Sequence, residues 1–219
     1  MTQPAPDTTR HPRTRGRPRS VAPQQALDAA VRLFWTHGYD GASLARLSRQ
    51  MRLPRASLYQ SYGDKEGLFL AAIQRYAETR QTPVAQALGP QGSLASDLRA
   101  FLEAAIRLAT ADPATPGCLI ACVLADAAGN NPRLRRELAT RFAALESRLQ
   151  DRLIAGRAEL PATADPALLA LLLAATTRGL MLRARAGAEP DSLRDAARVM
   201  VDLLCLAAPP PAAPPPAAN

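Results

Sequence analysis

Between Ser43 and Tyr62 the chain reads SLARLSRQMRLPRASLYQSY, and the spacing of Leu44, Leu47, Met51, Leu53 and Leu58 makes two short helices share one small core. The remaining positions of this stretch face outward and are rich in Arg, Ser, Gln and Tyr. A core that small must be closed by its neighbours. Upstream, Leu27, Ala30, Val31, Phe34 and Trp35 fall at i, i+3, i+4, i+7 and i+8, a helical stripe that stops at Gly38. Downstream, Asp64 follows Gly63 as an N-cap, and Leu68, Phe69, Ala72, Ile73 and Tyr76 repeat the stripe. Leu27 to Tyr76 is thus expected to form a helix, a helix-turn-helix and a fourth helix.

Pro83, Gly89, Pro90 and Gly92 then mark a break, after which Ser93 opens a helix bearing Leu94, Leu98, Phe101, Leu102, Ala105, Ile106 and Leu108. Further helices are expected over 118–128, 133–156, 166–187 and 191–206, separated by Pro116-Gly117, Gly129 to Pro132, Pro161 and Pro190. No strand-like alternation or Asn-Gly hairpin signal appears, so the fold class is all-α. The expected organisation is a basic arm over 1–20, a helix-turn-helix domain over 21–80, a larger helical domain over 81–207, and a Pro/Ala tail over 208–219. A chain of 219 residues, 47% hydrophobic, is long enough for such cores.

The formal charge of +8 is unevenly placed. Residues 1–80 hold 13 Lys/Arg against 6 Asp/Glu, and residues 81–219 hold 14 against 13. The excess therefore sits beside the helix-turn-helix, where neutralising phosphates requires it. The most apolar run, Ala167 to Ala175, is followed by Arg178 and Arg183, so no bilayer span is expected. The N-terminus lacks an apolar signal core, which predicts a cytoplasmic chain. Three cysteines do not suggest a disulfide framework.

Phe34, Gly38, Ser43, Leu47, Leu53, Leu58, Tyr59, Tyr62, Lys65, Glu66 and Leu68, within the stretch from Arg17 to Tyr76, carry a specific resemblance. The pattern resembles the N-terminal domain of TetR/AcrR-type transcriptional regulators. The resemblance covers about sixty residues by motif, and the helical remainder fits by architecture. It implies a three-helix helix-turn-helix domain joined to a helical ligand-binding and dimerisation domain. Two positions depart from the pattern: Arg52 stands at the turn where the family usually has Gly, and Pro54 where a small polar cap is common. Arg52 leaves the turn's geometry open, since positive φ there is costly for a non-Gly residue. Pro54 suits a first helical position, whose N–H has no partner anyway.

The short helix expected from Pro54 to Ser61 enters the major groove with its N-terminal side chains towards the bases. Arg55 can donate two hydrogen bonds to a guanine edge, Ala56 can touch a thymine methyl, and Ser57 can bond a base edge or a phosphate. Arg55 on phosphate is the alternative, because phosphate and sugar take half or more of protein–DNA hydrogen bonds. The resemblance places Ser43, Tyr59 and Lys65 at phosphate-contacting positions, and Gln60 joins them as a DNA-binding candidate. Lys65 is the only lysine in the chain and falls in a first helical turn, beside free backbone N–H groups. Core packing is the alternative for Tyr59. Arg15, Arg17 and Arg19 resemble a minor-groove arm, or else a nonspecific basic tail.

The second domain carries no enzyme constellation. His11 and His37 lie in the arm and at a helix end, no Gly-rich phosphate loop is present, and no metal or other cofactor is implied. Its acidic residues fall at helical spacing expected of a solvated face. Cys118 and Cys122 stand four apart on one expected helix and would share a face. They read as buried small hydrophobes, or as a redox, electrophile or metal sensor. Phe101, Leu102, Leu119, Val123, Phe142 and Thr177 are candidates to line a pocket for a small hydrophobic or aromatic effector, with core packing the other explanation. Leu168 to Ala186 and Leu193 to Leu206 resemble the helix pair that forms the family's dimer interface, and Gly179 would allow close backbone approach. The expected function is a homodimeric repressor of a palindromic operator on double-stranded DNA, released by the effector. A nonspecific architectural DNA-binding protein is the alternative of another class.

Overall fold

In a computed structural model describing residues 22–205, the chain folds into helices throughout. They are α1 (Pro23–Gly41), α2 (Leu44–Met51), α3 (Arg55–Tyr62), α4 (Lys65–Tyr76), α5 (Thr82–Gln86), α6 (Leu94–Thr110), α7 (Ala125–Ala127), α8 (Pro132–Ala155), α9 (Pro166–Arg185) and α10 (Pro190–Cys205). The expected arm, including Arg15, Arg17 and Arg19, and the Pro/Ala tail lie outside the described residues.

The first four helices close as the spacing requires. Phe34 of α1 meets Phe69 of α4 with ring centroids 4.7 Å apart, and Trp35 meets Tyr76 edge-on at 4.9 Å. Leu47, Met51 and Leu58 are buried between α2 and α3, while Leu44 and Leu53 pack half-buried at the edge. The regular run of α1 breaks at Gly38, whose φ is 74°, and a residual turn carries the chain to Gly41. Helix α3 begins one residue later than expected: Pro54 is extended and serves as N-cap, with Arg55 the first helical residue. A Cβ at Gly67 would collide with the Tyr62 carbonyl oxygen, so α4 approaches the end of α3 only because that position is glycine.

Helix α4 does not end at the expected domain border. It continues through a wide π turn, Ala77–Gln81, into α5, so one helical run crosses from the small domain into the large one. Pro83 lies in the first turn of α5, and the chain breaks only after Gln86. A second π segment, Leu119–Leu124, leads into α7.

The larger domain packs α6, α8, α9 and α10 around a core that includes Leu98, Leu102, Ile106, Leu149, Leu153, Leu173 and Val201. One acid departs from the expected solvated face. Asp97 is buried, receives Arg152 Nη2 at 2.7 Å, and accepts the backbone N–H groups of Gln91 and Gly92. Helix α9, 20 residues long, meets the length and composition needed to cross a bilayer, contrary to the sequence expectation. It packs against α6, α8 and α10, and what remains uncovered is a row of leucines.

Candidate nucleic-acid interface and the cavity behind it

Helix α3 presents Arg55, Ala56, Tyr59 and Gln60 to solvent, with Ser57 half-buried among them. Tyr59 is 50% exposed, which excludes a core role; Leu58 is buried and Tyr62 packs half-buried against the core. Ser43 caps α2, its hydroxyl oxygen accepting the Arg46 N–H at 3.3 Å, so its proton remains available to an acceptor outside the chain. The turn is locked by Ser48, whose hydroxyl donates to the Leu53 carbonyl at 2.6 Å, and by Arg52 in the left-handed region at φ 53°, ψ 37°. The conformation that favours glycine is therefore kept, with arginine in it.

Lys65 sits where expected, but its ammonium has different company. The Asp64 carboxylate takes the Gly67 N–H at 2.7 Å, while Lys65 Nζ reaches back to α1, donating to the Asp40 carbonyl at 3.3 Å and lying 4.5 Å from the centre of the Tyr39 ring. Burial lowers its pKa from the usual lysine value, with the Asp40 charge acting in the opposite direction. Tyr39 and Asp40 thus fix this cation, and nothing in their local spacing announces it.

Arg46 and Arg49 of α2, not among the expected DNA-binding residues, belong to the same surface. With Arg52 and Arg55 they recur every third residue, all exposed, and no Asp or Glu occurs from Gly41 to Gly63. None of the four makes an ion pair among the described residues. This surface holds uncompensated positive charge around the outward end of α3.

Behind it, α4 and its extension are tied to the large domain at three heights. Glu66 accepts from Asn131 Nδ2 and from Arg133 Nη1 at 3.1 Å. Gln74 accepts from Arg141 Nη2 at 2.6 Å. The Tyr76 hydroxyl and Gln81 Nε2 both donate to Cys118 Sγ, at 3.3 and 3.7 Å. These ties join the helix that carries Lys65 and its extension to α8 and to Cys118.

The lowest of these ties borders a cavity of about 300 Å³ among α4, α5, α6, α8 and α9. Phe101, Phe142 and Thr177 line it, as expected. Leu102, Leu119 and Val123 do not: they are buried in the core, where packing accounts for them. The walls add Leu108, Ile120, Leu145 and Met181, and a polar set not anticipated, Gln81, Arg141, Arg148 and Arg178. Cys118 and Cys122 do not share a helix face. Cys118 is the extended residue before the π segment and lines the cavity, whereas the Cys122 thiol donates to the Met181 carbonyl at 3.8 Å. Burial pushes the Cys122 thiol pKa up, which suits a packing role. Gly117 is required here: its φ is 78°, and a Cβ would meet Cys122 Sγ at 2.9 Å.

Two family models match the chain. "Bacterial regulatory proteins, tetR family" covers residues 26–72, and "Tetracyclin repressor-like, C-terminal domain" covers residues 95–200. The chain belongs to the TetR family. Among its relatives, the HTH-type transcriptional repressor ComR of Escherichia coli is 31% identical over 188 residues, 84% of this chain and 90% of ComR. A cysteine mutant of the TetR family regulator CifR, solved with 26-base-pair double-strand operator DNA, superposes with a TM-score of 0.78 at 27% identity, over 86% of this chain and 100% of that one. A TetR regulator from Chloroflexus aurantiacus matches with a TM-score of 0.71 at 25% identity, over 81% and 91% of the two chains. This TetR-family chain is accordingly a DNA-binding transcriptional regulator and not an enzyme.

Proposed function

We propose that this regulator is a cytoplasmic homodimeric repressor that reads a palindromic operator with α3 and releases it when a small molecule fills the cavity behind α4. The observation that carries the reading is the start of α3, with Arg55 and Ala56 exposed and Ser57 half-buried beside them, on an arginine surface free of acids. Base readout falls to these three, and phosphate contacts to Ser43, Tyr59, Gln60 and Lys65. The operator-bound CifR structure and the repressor ComR support the reading of an operator-binding repressor.

The dimer reading rests on α9 and α10, where Leu168, Leu171, Leu172, Leu182, Val199 and Leu203 are each at least half exposed. An apolar face of that extent on two adjacent helices is costly in water unless a second copy covers it. Within one chain nothing lies within 4 Å of a Gly179 Cβ position, which leaves room there for the close approach of a second copy. Release follows from differential affinity: a ligand that disturbs the Gln81 or Arg141 ties shifts α4, and acts only as far as it prefers the shifted state.

Selecting sites from random duplex DNA with the purified protein tests the reading. An inverted repeat is the expected outcome; salt-dependent binding without enrichment of any sequence would replace it with an architectural role. A second reading, electrophile sensing at Cys118, is favoured by the place of its sulfur in the cavity wall, where it accepts from the Tyr76 hydroxyl and Gln81 Nε2. The S–C bond forms as the maleimide C=C π bond breaks, and the proton lost from the thiol is replaced from solvent on the adjacent carbon. Release by N-ethylmaleimide that persists unchanged in Cys118→Ser sinks that reading.

A further inference from the structure

The cavity is not a plain apolar hole, and its polar groups are unevenly satisfied. On α8, Arg141, Leu145 and Arg148 fall at i, i+4 and i+7, so all three turn to the cavity. Arg141 is committed to Glu137 at 2.7 Å and to Gln74. Arg148 makes no ion pair among the described residues. From α9, Arg178 gives Nη2 to Glu146 at 2.7 Å and to the Phe142 carbonyl at 3.3 Å. Its Nε is buried and has no acceptor. A buried donor left in that state is costly, and such groups are rare in folded proteins.

The geometry also limits what the acceptor can be. The guanidinium carbon of Arg178 lies 3.7 Å from the centre of the Phe142 ring, so one face of the group is covered by the aromatic side chain. Its donors lie in the plane of the group, and with Nη2 already given to Glu146 and the Phe142 carbonyl, Nε is the buried donor left for an acceptor, a role that one oxygen of a carboxylate fills. Glu78, the one carboxylate lining the cavity, is held by Gln74 Nε2 at 2.6 Å and is outnumbered three to one by arginines.

We propose that the effector of this cavity is a small organic anion: an apolar body packed on Phe101, Leu108 and Leu145, with a carboxylate in plane with Arg178 and within the field of Arg148. The proposal rests on the effector-cavity reading above and narrows it, since apolar lining alone asks only for a hydrophobic molecule. A volume of about 300 Å³ sets the body at the small end of the ligand range.

Titration calorimetry on the full-length protein with two matched pairs tests it: octanoate against octanamide, and 3-phenylpropanoate against 3-phenylpropanamide. Each acid is expected to bind about tenfold or more tighter than its amide, the worth of a charge-assisted hydrogen bond. Arg178→Met is expected to bring the acid down to the level of the amide while amide affinity stays within about twofold. Arg148→Ala, an exposed position that carries no folding risk, is expected to lose a few-fold of the preference. Equal binding of acid and amide, or a preference that survives Arg178→Met, overturns the anion while leaving the cavity reading in place. Failure of all four probes to bind overturns both.

Discussion

The α2–α3 surface and the packing of the large domain use arginine in opposite ways. From α2 to α3, four arginines stand exposed with no acid in reach, whereas in the large domain Arg99, Arg141, Arg152, Arg178, Arg194 and Arg198 are each placed against a carboxylate within 3.1 Å. A cation paired inside the chain contributes to the fold; a cation left unpaired contributes a field that a polyanion can neutralise. The same residue type therefore reports different functions according to whether its countercharge is built in. This separates the DNA-binding head from the larger domain.

The largest effect that tests the comparison belongs to the buried pair. Arg152 and Asp97 have side chains only 6% and 5% exposed, and Arg152 also donates to the Gly92 carbonyl at 3.1 Å, holding the loop before α6. Arg152→Ala leaves a buried carboxylate unpaired and is expected to cost about 3–5 kcal/mol in urea unfolding. DNA affinity of the protein that remains folded should be unchanged. Burial raises the Asp97 pKa, but the hydrogen bonds from Arg152 and from the Gln91 and Gly92 N–H groups outweigh it, and the net shift is downward. The folded value thus lies below the unfolded one, and its stabilisation is present above about pH 4 and lost as pH falls through the folded value. In the variant the unpaired acid is raised instead, so the gap between the two proteins should narrow on acidification. A constant gap from neutral pH to about pH 3 would mean that Asp97 is not the group responsible.

Arg55→Ala probes the other half and should move the opposite readouts. Arg55 is exposed and unpaired within the chain, so the melting temperature is expected to hold. Operator affinity is expected to fall by about 1–3 kcal/mol, with discrimination relaxed at a single base position. Uniform weakening over all sequences, with the salt slope reduced by about one, would reassign Arg55 to phosphate.

The contrast also explains what was legible in the sequence. The head is written in short-range spacing: the stripe from Leu27 to Trp35, the Asp64 cap and the inward Leu58 are each fixed by neighbours a turn or two away, and all fell where expected. The cavity is not. Leu102 and Phe101 are adjacent apolar residues of one helix, yet only Phe101 meets open space, because the facing helices decide which side is left unfilled. Asp97 looked like a solvated acid because its partner stands 55 residues further on. Cys118 and Cys122 looked like a pair because four-residue spacing implies one face of an α-helix, but Cys118 precedes the helix and the segment after it is wound as a π turn. Lys65 was found by its position, and its resting place on Tyr39 was not, since that contact spans two helices.

The smallest and sharpest test is Arg52→Gly, because the two roles pull on one residue in opposite directions. At φ 53° and ψ 37°, a residue with a Cβ is strained by roughly 1–2 kcal/mol, which glycine relieves. Glycine also gains freedom in the unfolded chain, worth about 0.5–1 kcal/mol against the fold. The net expectation is a gain of up to about 1 kcal/mol, a rise of about 2–4 °C in melting temperature for a chain of this size. The same change removes one of the four unpaired cations, so DNA binding should weaken equally for all sequences and its salt slope should fall by about one. A family that places glycine at this turn obtains the relaxed backbone; this chain keeps the strained conformation and gains a charge. A variant that melts lower would show that the Arg52 side chain stabilises the turn by contacts worth more than the strain. A variant with an unchanged salt slope would remove Arg52 from the phosphate-facing field and limit that field to Arg46, Arg49, Arg55 and Lys65.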